Sequence, residues 1–106
     1  MFTKRAAIER VQNFAKELQA TGLHLRKVIL YGSYARNSQH KWSDIDVALV
    51  ADEFTGIGFN DVGYFARINN KKPFILIETK TYPTSYFKKG DPFIDEIKRT
   101  GIEIVI

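Results

Sequence analysis

The chain contains no cysteine in its 106 residues, which removes disulfides and thiolate metal sites and leaves nothing that demands an oxidising compartment. Long apolar runs are missing as well. None approaches the roughly 20 residues a membrane-spanning helix needs, and the N-terminal stretch has no apolar signal-peptide centre. The expectation is therefore a cytoplasmic protein with no membrane partner. Charge of one sign is not concentrated: 16 basic residues against 12 acidic ones give +4, and the basic ones are scattered, with short pairs at Lys71-Lys72 and Lys88-Lys89. Scattered lysines are ordinarily solvated surface, so this balance permits a nucleic-acid partner without arguing for one. There is no internal repeat, low-complexity tract or linker.

What is present suits a folded globule. Apolar residues make up 44% and aromatic residues 13% of the chain, enough for one core in a single domain spanning 1–106. From Lys4 to Ala20, the residues Ile8, Val11, Phe14, Ala15 and Leu18 recur at helical spacing, and Gly22 supplies a stop. Leu25 to Tyr31 and Asp44 to Ala51 read as strands, with Ser33 to Asn37 between them as a short helix. Asp52 to Gly58 reads as a loop, Asp61 to about Asn69 as a helix capped by Asn60, and Phe74 to Lys80 as a third strand. Thr81 to Gly90 reads as a loop. The last helix has Asp91 as N-cap, Pro92 at its first position and Gly101 as its stop, and Ile102 to Ile106 closes the chain as a strand. Interleaved helices and strands predict an α/β or α+β layer structure with a mixed sheet.

The chemistry concentrates between Leu30 and Val50. Gly32-Ser33 interrupts one apolar run, and Ser43-Asp44-Ile45-Asp46 leads into another. Side chains alternate along a strand, so Asp44 and Asp46 point the same way roughly 7 Å apart while Ile45, Val47 and Leu49 take the other face. Two like charges at the head of a buried strand are costly unless something compensates them. A pair of magnesium ions about 3.5–4 Å apart would do so. Gly32 permits a positive φ or a close backbone approach, and Ser33 opens a turn whose N–H groups favour phosphate. Phosphate on one side and metal on the other is a layout for phosphoryl or nucleotidyl transfer.

Gly32-Ser33-Tyr34-Ala35-Arg36 followed by Ser43-Asp44-Ile45-Asp46-Val47 resembles the Gly-Ser … Asp-x-Asp signature of the DNA polymerase β-like nucleotidyltransferases, specifically their minimal branch. The family usually has glycine where this chain has Asn37. The resemblance implies a nucleotidyltransferase palm, a mixed β-sheet of about four to five strands flanked by helices. It implies two Mg2+ ions on Asp44 and Asp46, with ATP as donor and its outer phosphates held by Ser33 and the Gly32 backbone. It also implies a third carboxylate on a neighbouring strand, and Glu78 is the candidate here; the alternative is that Glu78 meets only solvent or Lys80. Arg36 steers phosphate or is simply surface. The acceptor implied is a hydroxyl on a partner protein, a HEPN-domain toxin for which this chain would be the antitoxin.

Two other readings stand beside it. One is a module that neutralises a partner by contact with its nucleotide site idle. The other is an enzyme for a small molecule or nucleic acid whose acceptor domain is a separate chain. His24 and His40 have no partners at metal-ligand spacing and read as structural and as loop surface. Trp42 reads as a loop anchor or a stack for a base.

Overall fold

The computed structural model describes residues 2–106. The chain opens with helix α1 (Lys4–Ala20), whose N-cap Thr3 accepts a hydrogen bond from the Ala6 N–H at 3.1 Å and which buries Ala7, Val11, Phe14, Ala15 and Leu18. Strand β1 (Leu25–Tyr31) runs antiparallel to β2 (Ile45–Ala51). The short helices α2 (Gly58–Asp61) and α3 (Ala66–Asn69) then lead to β3 (Ile77–Pro83), parallel to β2. Helices α4 (Thr84–Lys89) and α5 (Pro92–Thr100) follow, and β4 (Ile102–Glu103) pairs antiparallel with β1. The sheet has four strands in the order β3-β2-β1-β4. The fold is thus α/β, a four-stranded mixed sheet flanked by helices.

Strand alternation sorts the apolar residues into two cores, one on each face. Val28, Leu30, Ile45, Val47, Leu49 and Ile77 pack with α1, Phe65 and Ile68. Ile29, Ala48, Val50 and Tyr82 pack with Phe87 of α4 and with Ile94 and Ile97 of α5. Asp46 shares the parity of Ala48 and Val50, so it belongs to the second face. At the head of α5 the Asp91 carboxylate accepts from the Ile94 N–H at 2.8 Å, as its N-cap position requires.

Four segments differ from what the sequence suggests. The helix expected over 61–69 is broken into α2, a single 3-10 turn at Val62–Tyr64 and α3. Gly63 weakens the helix at that point, and Asp61 is recruited elsewhere. The third strand begins at Ile77 rather than Phe74, because Lys72–Phe74 forms a 3-10 turn after which pairing with β2 starts at Ile45↔Ile77. The loop expected over 81–90 is instead the end of β3 and helix α4. The final strand is only two residues long.

Asp61 is fully buried and ties the middle segment together. Its carboxylate accepts from the Thr55 and Gly56 N–H groups at 2.8 and 2.9 Å, and from the Thr55 and Thr81 hydroxyls at 3.1 and 2.7 Å. Burial works to raise its pKa, but these donors together hold it below the usual carboxylate value. A lowered folded-state pKa stabilises the fold above the unfolded carboxylate range, and that contribution is lost as pH falls through the folded value. Asp61→Ala is expected to cost about 3 kcal/mol at neutral pH by leaving buried donors unpaired. The loss should shrink in acid, which chemical denaturation at pH 7 and pH 3 would measure.

Candidate active site

Three adjacent strands bring the chemistry to one end of the sheet. The C-terminal end of β1 lies beside the N-terminal ends of β2 and β3, with Tyr31 opposite Asp46 and Asp46 opposite Glu78. Register partners in a parallel pair project to the same face, so the Glu78 and Asp46 side chains leave the sheet side by side. Asp44 precedes β2 by one residue and is exposed. Glu78 is exposed as well, so its charge carries no burial cost and what ties it to the site is the strand pairing. Among the described residues, none of the three acids is in an ion pair.

The surrounding charges converge on Asp46. Partial burial raises the Asp46 pKa first, and the charges of Asp44 and then Glu78 push it further, with Arg36 pulling the other way. Desolvation, with Asp46 and Glu78 behind it, drives the neighbouring Tyr31 phenol up to about 12. Negative charge is therefore gathered here faster than the chain compensates it. As the side chains stand, no three acidic or histidine groups among the described residues close around one ion. The donor chemistry nonetheless suits a hard divalent cation, since carboxylate oxygens are what Mg2+ selects.

Gly32 completes the floor. It has φ +75°, and a Cβ built there would lie 2.3 Å from Asp46 Oδ2 and 3.1 Å from its Cγ. The backbone is thus pressed against the carboxylate, and only glycine permits both the conformation and the approach.

The Gly-Ser turn is a single helical turn that stops at once. The Arg36 N–H donates to the Gly32 carbonyl at 3.1 Å, the Asn37 N–H to Tyr34 at 3.3 Å and the Ser38 N–H to Ser33 at 2.8 Å. These last two bonds, with Asn37 at φ 57°, form a Schellman closure with Asn37 at its left-handed position. A glycine would be at ease there, and asparagine is the side chain that tolerates it best. The short helix expected over 33–37 is this one turn. Tyr34 pins it from below, 1% exposed with its hydroxyl accepting from the Phe2 N–H at 3.3 Å. Asn37→Gly should leave stability within about 0.5 kcal/mol or raise it, whereas Asn37→Val should cost about 1–2 kcal/mol through left-handed strain. Thermal unfolding of both variants checks this.

The remaining candidates scatter. Arg36 is exposed but close enough to lower the Asp46 pKa. Ser33 sits half-buried within the turn. Trp42 is 78% exposed with the Lys41 ammonium 5.1 Å from its ring centre, so it does not anchor its loop. His24 Nδ1 lies 2.6 Å from Glu53 Oε2 at the far end of the sheet, a structural contact, and His40 is exposed on the loop. The sequence offers Tyr82, Tyr86 and Phe87 as an acceptor-site lining or as packing beneath a loop, and passes over Tyr31 and Phe93; the period of β3 places Lys80 on the Glu78 face, but only the fold brings Phe93 to it.

A Gly-Ser turn packed under a carboxylate, with acids on the two next strands, defines a nucleotidyl-transfer palm. The chain belongs to the nucleotidyltransferase domain family of the polymerase β-like superfamily, whose model matches residues 8–104. It is 30% identical over 103 residues to a Methanocaldococcus jannaschii protein provisionally described as a protein adenylyltransferase, spanning 92% of this chain and 97% of that one. Two solved structures share the fold. One, provisionally described as a nucleotidyltransferase from Sulfolobus solfataricus, aligns with TM-score 0.61 at 19% identity over 97% of this chain and 86% of its own. The other is a toxin-antitoxin with AMP-PNP, aligned with TM-score 0.57 at 18% identity over 88% of this chain and 71% of its own. The protein is a nucleotidyltransferase. No helix among the described residues is long and apolar enough to cross a membrane.

Proposed function

We propose that the protein transfers AMP from ATP to a hydroxyl of a partner protein, with Asp44, Asp46 and Glu78 as the acids of the reaction. The observation that carries this reading is the line across the sheet from the Gly-Ser turn through Asp46 to Glu78. The triphosphate's outer phosphates lie against the Gly32-Ser33 turn, with Arg36 facing them. The acceptor oxygen enters from the β3 side, where Glu78 takes its proton. That oxygen bonds to the α-phosphorus as the bond to the bridging oxygen of the β-phosphate breaks, and pyrophosphate leaves toward the turn. Bound to the three acids, Mg2+ ions would neutralise the phosphate oxygens.

A protein acceptor is favoured by the likeness to a protein adenylyltransferase and by the rim of the site, where Trp42, Ile75 and Leu76 are 78%, 65% and 47% exposed. The fold shared with a chain of a toxin-antitoxin structure supports a toxin as the acceptor, and the family resemblance of the sequence makes a HEPN-domain protein the first candidate. The same exposed rim favours a second reading, neutralisation by contact alone. The two separate when protein, candidate partner, Mg2+ and α-labelled ATP are incubated together. Label on the partner that disappears with Asp44→Ala and with Asp46→Ala supports transfer. Neutralisation that persists in both variants, with no label at any time, leaves contact alone.

A further inference from the structure

A cavity of about 370 Å3 opens beside β3, with Thr55, Lys80, Tyr82, Tyr86, Asp91 and Phe93 in its wall. Its volume falls within the range of small-ligand sites. It is connected to the acids by two routes. Along β3, Glu78, Lys80 and Tyr82 follow one another on one face at intervals of about 7 Å. Across the face, the Phe93 ring meets the Tyr31 ring edge-on with centroids 6.0 Å apart, and Tyr31 is the cross-strand partner of Asp46.

The wall combines aromatic faces with one unsatisfied polar group. Tyr82 stacks parallel to Tyr86 with centroids 6.4 Å apart. The Lys80 ammonium lies 5.4 Å from the Phe93 centroid and 5.9 Å from that of Tyr82. Tyr82 is only 5% exposed, yet its hydroxyl has no hydrogen-bond partner among the described residues. A buried hydroxyl left unpaired is costly, and natural folds keep few of them. Aromatic surface accepts any flat ring, while a lone buried hydroxyl adds a directional demand.

We propose that this cavity receives the base of the nucleoside triphosphate, stacked against Phe93 and hydrogen-bonded by the Tyr82 hydroxyl. The assignment rests on the nucleotidyl-transfer reading above. With the phosphates at the Gly-Ser turn and the α-phosphate over Asp46, the nucleoside runs along β3 past Lys80, which stands between Glu78 and Tyr82 on the strand. Sliding beneath Lys80, the base takes the ring faces the ammonium now covers and gives the Tyr82 hydroxyl its partner. Tyr82 is then a specificity-determining residue.

Calorimetric titration of wild type, Tyr82→Phe and Phe93→Ala with Mg2+-ATP and with Mg2+-tripolyphosphate tests this, with unfolding curves confirming that both variants fold. Tyr82→Phe should weaken ATP about fivefold and Phe93→Ala about tenfold, leaving tripolyphosphate within twofold of wild type. ATP affinities equal to wild type in both variants would overturn the assignment, as would parallel losses of ATP and tripolyphosphate. If wild type bound neither ligand, the nucleotidyl-transfer reading itself would fall. That outcome is distinct from wild type binding ATP with the variants indifferent.

Discussion

Asp46→Asn is expected to lower nucleotidyl transfer on the order of a thousandfold or more while leaving the fold as stable as before, or slightly more stable. The side chain changes by one atom in kind, so packing against Gly32 is kept. What disappears is the charge at the middle of three, the one that Tyr31 and Glu78 flank in register. Because burial, Asp44 and Glu78 all disfavour ionised Asp46 in the metal-free chain, removing its charge relieves repulsion there. Stability should therefore rise by a few tenths to about 1 kcal/mol, the exchange expected where a site is built for function rather than for stability. Pyrophosphate release and chemical denaturation read the two effects separately. A variant that lost activity only because it unfolded would contradict this account.

Gly32→Ala is the second large effect. The added methyl carbon would meet Asp46 Oδ2 at 2.3 Å, and the residue would hold φ +75°, which side chains other than glycine adopt at a cost. Transfer should fall by about a hundredfold or more, since a shift of about 1 Å in a catalytic group has that scale of consequence. Stability should fall by about 1–2 kcal/mol. The clash and the backbone strain can be told apart. In an Asp46→Ala background the carboxylate is gone, so Gly32→Ala should cost less than it does alone, and a double-mutant cycle gives the difference. Equal costs in both backgrounds would assign the whole effect to φ.

Much of this was legible in the sequence where the signals are local. Helices α1 and α5 occupy the spans their periodicity and punctuation predict, because Gly22, Asp91, Pro92 and Gly101 act on neighbours within one turn. The Gly-Ser turn and the Asp pair are likewise local. The middle of the chain is not. Asp61 looks like the first turn of a helix, yet its carboxylate is turned back onto Thr55 and Gly56 and across to Thr81, a partner 20 residues away. The third strand was displaced because Phe74 and Ile75 have the same β-forming character as Ile77, and only pairing with Ile45 selects the start. That displacement leaves Glu78 on one face with Lys80, since a later start changes where the strand begins but not the alternation within it. The aromatic cavity joins β3 to α4 and α5; its tyrosines, Tyr82 and Tyr86, stand out in the sequence, but only the fold brings Phe93 and Lys80 to them.

The most direct measurement compares ATP labelled at the α-phosphate with ATP labelled at the γ-phosphate, each incubated with Mg2+, the protein and its candidate partner. A nucleotidyltransferase leaves the α-label on the acceptor and sends the γ-label into pyrophosphate, and that is the result expected here. An acceptor that kept the γ-label and not the α-label would mean phosphoryl transfer, and would contradict the placement of the α-phosphate over Asp46.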